Sequence, residues 1–173
     1  MRRAVLFLSI LATTMSACAE VGTPSAGSEP TAVDARRIEI YGAVIRDVVE
    51  FGTGPVYVWT ELCDNADAAA EHYSPCPHSL TATEQQAIVS LLAEEVPKLR
   101  FIEDAQAVAE EVFEGGSELV RLGPIQEIEG RVQVPAMHVC GNVCGGGSVW
   151  VVEETSEGWV VVGPAPGQGE WIS

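Results

Sequence analysis

The sequence predicts an α+β domain in which N-terminal helices pack on one face of a C-terminal antiparallel β-meander. Three observations carry this. Apolar residues recur at helical spacing over residues 34–50, and a capped helix pattern follows from Thr81. From Ser117 onward the pattern changes to short β-branched runs separated by glycine and charged turns.

Taken in order, residues 34–50 set Ile38, Tyr41, Ile45, Val48 and Val49 on one apolar stripe. Asp34 lies near the start, where a carboxylate suits the helix dipole. Gly42, in the middle, costs about 1 kcal/mol relative to alanine. Residues 56–60, "VYVWT", are β-branched and aromatic and read as a strand, with Pro55 just outside it. Residues 61–80 show no period and read as a long loop holding Cys63 and Cys76. Thr81 and Glu84 form a capping-box pattern ahead of Ile88, Leu91, Leu92 and Val96, the expected buried stripe, and Pro97 is the expected stop. "LRFI" at 99–102 is a short strand. Asp104 is placed to cap a third helix through Phe113, which Gly115 and Gly116 end. "ELVRLG", "RVQVPAMHV", "SVWVVEE" and "GWVVVG" are the meander strands, "EETSEG" is a hairpin loop, and "EWIS" adds a last short strand.

Ahead of this domain (residues 34–173) the sequence reads as a leader (1–17) and a tether (18–33). Arg2 and Arg3 precede the apolar run "AVLFLSILA", which is too short for a membrane span and fits a secretory signal. The run ends in "MSAC", residues 15–18, which resembles a bacterial lipobox with Met15 where leucine is preferred. The resemblance implies cleavage before Cys18, diacylglycerol on its sulfur, and an extracytoplasmic chain anchored to the cell envelope; ordinary cleavage nearby would leave Cys18 free. "AEVGTPSAGSEPTAV" behind it is too polar and too rich in small residues to fold alone, and reads as a spacer.

The chain carries 25 acidic residues against 9 basic ones, a formal net charge of −16. Losing Arg2 and Arg3 with the signal makes it more acidic still. Such a surface repels phosphate backbones, so nucleic acid is not an expected partner. No calcium-loop spacing accompanies the acidic residues.

Five cysteines minus a lipidated Cys18 leave Cys63, Cys76, Cys140 and Cys144, enough for two disulfides in an oxidising compartment. A Cys63–Cys76 bridge would make the long loop reasonable. For "HVCGNVCGGG", three turns compete. A two-residue turn at Gly141-Asn142 points Cys140 and Cys144 to opposite faces. A three-residue loop at 141–143 sets them opposite each other and permits a local bridge. A turn at the three glycines leaves both cysteines on one strand, too far apart to bond, and sends them to Cys63 and Cys76.

Other chemistries are weakly supported. Cys76, His78, His138, Cys140 and Cys144 are zinc-ligand types, but they lack paired-knuckle spacing. The cysteine pair has one residue too many for a redox Cys-x-x-Cys. The three glycines precede a strand, not the helix a phosphate loop needs. A hydrolase would draw on Ser148 with His72, His78 or His138, yet there is no nucleophile elbow. Adjacent glutamates at 94–95, 110–111 and 153–154 cannot share a face. Trp59, Trp150, Trp159 and Trp171 are core candidates or a ligand groove.

The last third also resembles a type of uncharacterised secreted bacterial protein, through "LGPI" (122–125), "CGNVCG" (140–145), "SVWVVEETSEGWVVVG" (148–163) and the terminal "WIS". "YGAVIRDVV" and "VYVW" fit the type as well. The resemblance implies a shared fold and carries no activity. The order of elements is also comparable with a nuclear-transport-factor-like cone, an alternative architecture that says nothing of function.

These readings point to a lipid-anchored extracytoplasmic domain that binds a small ligand or a protein partner without catalysis or cofactor. The pocket is expected between the sheet and the first two helices. An envelope hydrolase using Ser148 and His138, or a Cys/His metal protein, is the alternative.

Overall fold

The computed structural model describes residues 32–49, 54–64, 76–114, 116–142, 144–168 and 171–172. The signal, the tether with Cys18, and His72 lie outside the described residues.

Helix α1 (Ala32–Val48) lies slightly N-terminal of the predicted span. It is buried over more than a stripe: Ile40, Ala43 and Val44 are hidden as well as Tyr41, Ile45 and Val48. A helix packed on two sides needs apolar residues around most of its circumference. Here α2 (Ala82–Leu91) flanks α1 on one side and the sheet lies on the other.

The predicted capping box of α2 is present. Thr81 Oγ1 accepts from Glu84 N–H, and Glu84 Oε2 accepts from Thr81 N–H at 2.8 Å. Two expectations for α2 fail. The helix ends at Leu91 with Leu92 as its cap, well ahead of Pro97. The following turns return Val96 to the core and bring Lys98 O to accept from Val56 N–H at 3.3 Å, so the chain is already bending into the sheet. Leu91 is also 43 % exposed rather than buried. It lies against Gly42 of α1, where an added Cβ would stand 2.6 Å from Leu91 Cδ2. Gly42 therefore permits close approach of two helices.

Among the described residues, nine strands form one open sheet: β1 (Val56–Leu62), β2 (His78–Ser79), β3 (Leu99–Ile102), β4 (Glu118–Leu122), β5 (Gln126–Ile128), β6 (Arg131–Gly141), β7 (Cys144–Thr155), β8 (Gly158–Pro164) and β9 (Trp171–Ile172). The order is β2-β1-β4-β6-β7-β8, with β3, β5 and β9 beside β1, β6 and β7. The predicted antiparallel meander is β4-β6-β7-β8, whereas β1 runs parallel to both β3 and β4. The sheet is not a closed barrel, so the cone comparison stays at the order of elements.

β5 is not among the expected strands, because a three-residue segment, Gln126-Glu127-Ile128, is too short to carry a period. Its signal was the Glu129-Gly130 turn, where both residues have positive φ (53° and 76°), as a two-residue primed hairpin turn requires. "EETSEG" does form a hairpin, with Thr155 paired to Gly158. The third helix is split. Asp104 caps it, Oδ1 accepting from Gln106 N–H at 2.8 Å, but Ala105–Val108 is a 3-10 turn and only Ala109–Phe113 is α-helical (α3).

Alternation gives each face of the sheet its set. Val56, Val58, Val120, Leu122, Val132, Val134 and Ala136 meet α1 and α2 in the main core. Trp150, Trp159 and Val161 pack against its margin. α3 packs on the opposite face, so α1 and α2 share one side and the third helix covers part of the other.

Candidate functional site

Both cysteine pairs are bonded, Cys63 to Cys76 and Cys140 to Cys144. The second bridge uses a geometry close to the three-residue loop but not the same. Gly141 pairs with Cys144 and Val139 with Gly145, which leaves Cys140 as a bulge between them. A bulged residue leaves the ladder and can swing its side chain toward a neighbour. Gly141 takes a φ of 151°, which a side chain would resist. The three glycines are not a turn: Gly145, Gly146 and Gly147 run along β7 opposite Val139, His138 and Met137. β9 closes on Gly146 and Gly147 from the other side.

With the sulfurs in bridges, Cys76, Cys140 and Cys144 are not thiolate ligands. His78 is on β2 and His138 on β6, separated by β1 and β4. Among the described residues no three His, Cys, Asp or Glu side chains gather as a metal site.

Ser148 and His138 do share a face. Ser148 pairs with Ala136 and His138 with Gly146, which makes the two diagonal neighbours. Ser148 is 0 % exposed, however, and its Oγ has no hydrogen-bond partner. A serine nucleophile needs both a base in hydrogen-bond reach and access to substrate. This pair supplies neither. The adjacent glutamates at 94–95, 110–111 and 153–154 are all exposed.

The hollow best suited to a ligand lies beneath α3, on the face opposite the expected one. Its volume is about 140 Å³. The floor comes from the outward-alternating residues of three neighbouring strands: Trp59 of β1, Leu119 and Arg121 of β4, and Met137 and Val139 of β6. Leu119 pairs with Val139, and Arg121 with Met137. The roof is Ala105, Gln106, Ala109, Val112 and Phe113. Alanines at 105 and 109 are too short to reach the floor, so the space beneath them stays open, while Val112 is buried beside it. Phe113, 52 % exposed, stands at the rim. The roof is tied down by Tyr57 O–H donating to Glu111 Oε2 at 3.0 Å.

Among the described residues, Arg121 is the one charged residue lining this hollow, and it is only 4 % exposed. Its guanidinium lies 5.1 Å from the Trp59 ring centroid, a cation–π contact. Nη1 donates to the Met137 thioether at 3.8 Å. The Trp59 ring is itself held, Nε1–H donating to Glu103 O at 3.0 Å.

A second cleft of about 230 Å³ opens beside α1, nearer the expected place, lined by Arg37, Tyr41, Leu62, His78, Pro124 and Ile125. Its polar groups serve the fold. Arg37 pairs with Glu84 at 2.9 Å, and Tyr41 O–H donates to Gly123 O at 3.3 Å. Burial pushes the Tyr41 phenol up to about 12.

Sequence reasoning weighed Trp59 only as one of four tryptophans and did not single out Arg121. The missed signal was an arginine inside the β pattern "ELVRLG", where an apolar residue would ordinarily sit. The chain matches no protein-family profile, no curated protein and no solved structure.

Proposed function

We propose that the chain is a lipid-anchored extracytoplasmic binding domain. It is held to the cell envelope through Cys18, spaced from it by residues 19–33, and takes a small ligand in the hollow beneath α3. The hollow is the observation that carries the reading: a largely apolar space roofed by alanines, with the buried Arg121 at its floor. Pockets of this character, mostly apolar with few polar groups, are typical small-molecule sites. The two disulfides suit an oxidising compartment. Among the described residues no helix is long and apolar enough to cross a membrane. The "MSAC" motif supports anchoring by lipid.

Two measurements test this. A fragment library is screened by thermal shift on the wild type and on Ala109→Phe, which fills the hollow. Fragments that stabilise the wild type alone support the reading; equal shifts in both proteins, or none in either, refute it. Mass spectrometry of the chain from a bacterial host should find diacylglycerol on Cys18, and Cys18→Ala should release it from the membrane fraction. Free Cys18 in the wild type overturns the anchor.

A further inference from the structure

We propose that the hollow beneath α3 takes one neutral aromatic ring, held between the alanine roof and the Trp59, Leu119 and Met137 side chains of the floor. This deepens the binding reading above and rests on it.

Size sets the body. The space measures about 140 Å³, close to the ~150 Å³ hydrocarbon-lined cavity that holds a benzene in an engineered protein. One six-membered ring fills it. A fused ring system or a long acyl chain enters only if the roof lifts. That roof is tied by Tyr57 O–H on Glu111 Oε2 at 3.0 Å, and Val112 is buried beneath it.

The lining sets the preference for a π system. Trp59 and Phe113 are aromatic, and Met137 brings a thioether. Rings in offset or edge-to-face contact gain beyond the area they bury. A thioether sulfur near a ring edge gains as well. A saturated ring of equal volume makes the dispersion contacts with Val112, Leu119 and Val139 and gains neither. The Trp59 ring is already fixed, through Nε1–H on Glu103 O at 3.0 Å, so little freedom is lost when a ligand meets it. Phe113, 52 % exposed at the rim, is apolar surface that a bound ring would cover.

Charge sets the exclusion. Arg121 is part of the wall: its guanidinium lies against the Trp59 ring, donates to the Met137 thioether and makes a further interaction within the protein. An anion would have to compete with those contacts, and a cation is repelled. Either would also shed its hydration to enter a mostly apolar space, a cost that a neutral ring escapes.

The test is a titration of the full chain with toluene, cyclohexane, benzoate and benzylamine. Cyclohexane matches toluene in volume without a π face, and the other two keep the ring and add a charge. Binding is read by NMR shifts of the Trp59 indole N–H and the Met137 methyl. Toluene should bind about 3-fold or more tighter than cyclohexane, the factor that one ring–ring contact supplies. Benzoate and benzylamine should each bind about 10-fold or more weaker than toluene. Phe113→Leu should narrow the gap between toluene and cyclohexane, and Ala109→Phe should abolish binding of both. Cyclohexane, benzoate or benzylamine binding as tightly as toluene overturns the neutral aromatic assignment and leaves the hollow as a binding site. Toluene shifts that persist in Ala109→Phe, or no shifts with any of the four, overturn both. The wild-type series decides between the ligand classes even if a variant fails to fold.

Discussion

Glu84 performs two separate tasks with one carboxylate, and a graded substitution should separate them. Oε2 accepts from the Thr81 N–H at 2.8 Å and from the Thr81 hydroxyl at 2.9 Å, closing the cap of α2. Oε1 pairs with Arg37 Nε of α1 at 2.9 Å. The Glu84 side chain is 8 % exposed and that of Arg37 37 %, so the pair is worth more than a surface bridge but remains partly screened, about 1 kcal/mol. A cap of this type contributes about another 1 kcal/mol. Glu84→Gln keeps an acceptor for the cap, because glutamine also closes a capping box, and loses only the ion pair. It should cost about 1 kcal/mol. Glu84→Ala loses both and also leaves Arg37 and the Thr81 N–H without that acceptor, so it should cost about 2–3 kcal/mol. Urea unfolding followed by circular dichroism gives both values. A double-mutant cycle of Glu84→Gln with Arg37→Met should show coupling near 1 kcal/mol. Equal losses for the glutamine and alanine variants, or zero coupling, would refute the division of labour.

Three further outcomes are expected. Replacing both members of Cys63–Cys76 by alanine should cost about 3 kcal/mol, and both members of Cys140–Cys144 about 2 kcal/mol, because the bridges span separations of 13 and 4 residues; calorimetry of the two variants reads the difference. Stability should be fully present below pH 10, the ordinary tyrosine value, and fall as pH rises to about 12, because burial raises the Tyr41 phenol and the unfolded chain releases that proton first. Tyr41→Phe should show a flatter alkaline limb in unfolding curves taken across that range. Gly42→Ala should change stability little by itself, since its methyl meets Leu91 Cδ2, but should stabilise by roughly 0.5–1 kcal/mol on a Leu91→Ala background, where the helix propensity of alanine is realised.

Local signals were legible where one residue type has one use. Thr81 and Glu84 marked the start of α2, and Asp104 marked the cap that follows β3. The change of period at Ser117 marked the meander. The end of α2 was not legible, because Pro97 is a breaker but the demand to bury Val96 acts earlier. The parallel pairing of β1 with β3 and β4 was hidden too, since one strand's pattern does not reveal its partner's direction. The hollow was unreadable for a related reason. It depends on Ala105 and Ala109 lying over Arg121, and nothing in either segment alone announces the other. The Cys140–Cys144 bridge was open between three turns because a bulge is a property of pairing register.

The two kinds of bond in this domain also operate over different distances along the chain. Each disulfide joins near neighbours in sequence. The apolar core does the reverse: α1, the first described element, packs on β6, β7 and β8, more than half the chain away. Contacts of that separation form slowly, because the connecting chain must first be brought together. The sulfurs lie within short loops of their partners, 13 and 4 residues apart, so the chain between them costs little to close. The native pairings therefore close only short loops, and neither crosslink fixes the long-range arrangement. That arrangement is left to the fit of α1 against the sheet.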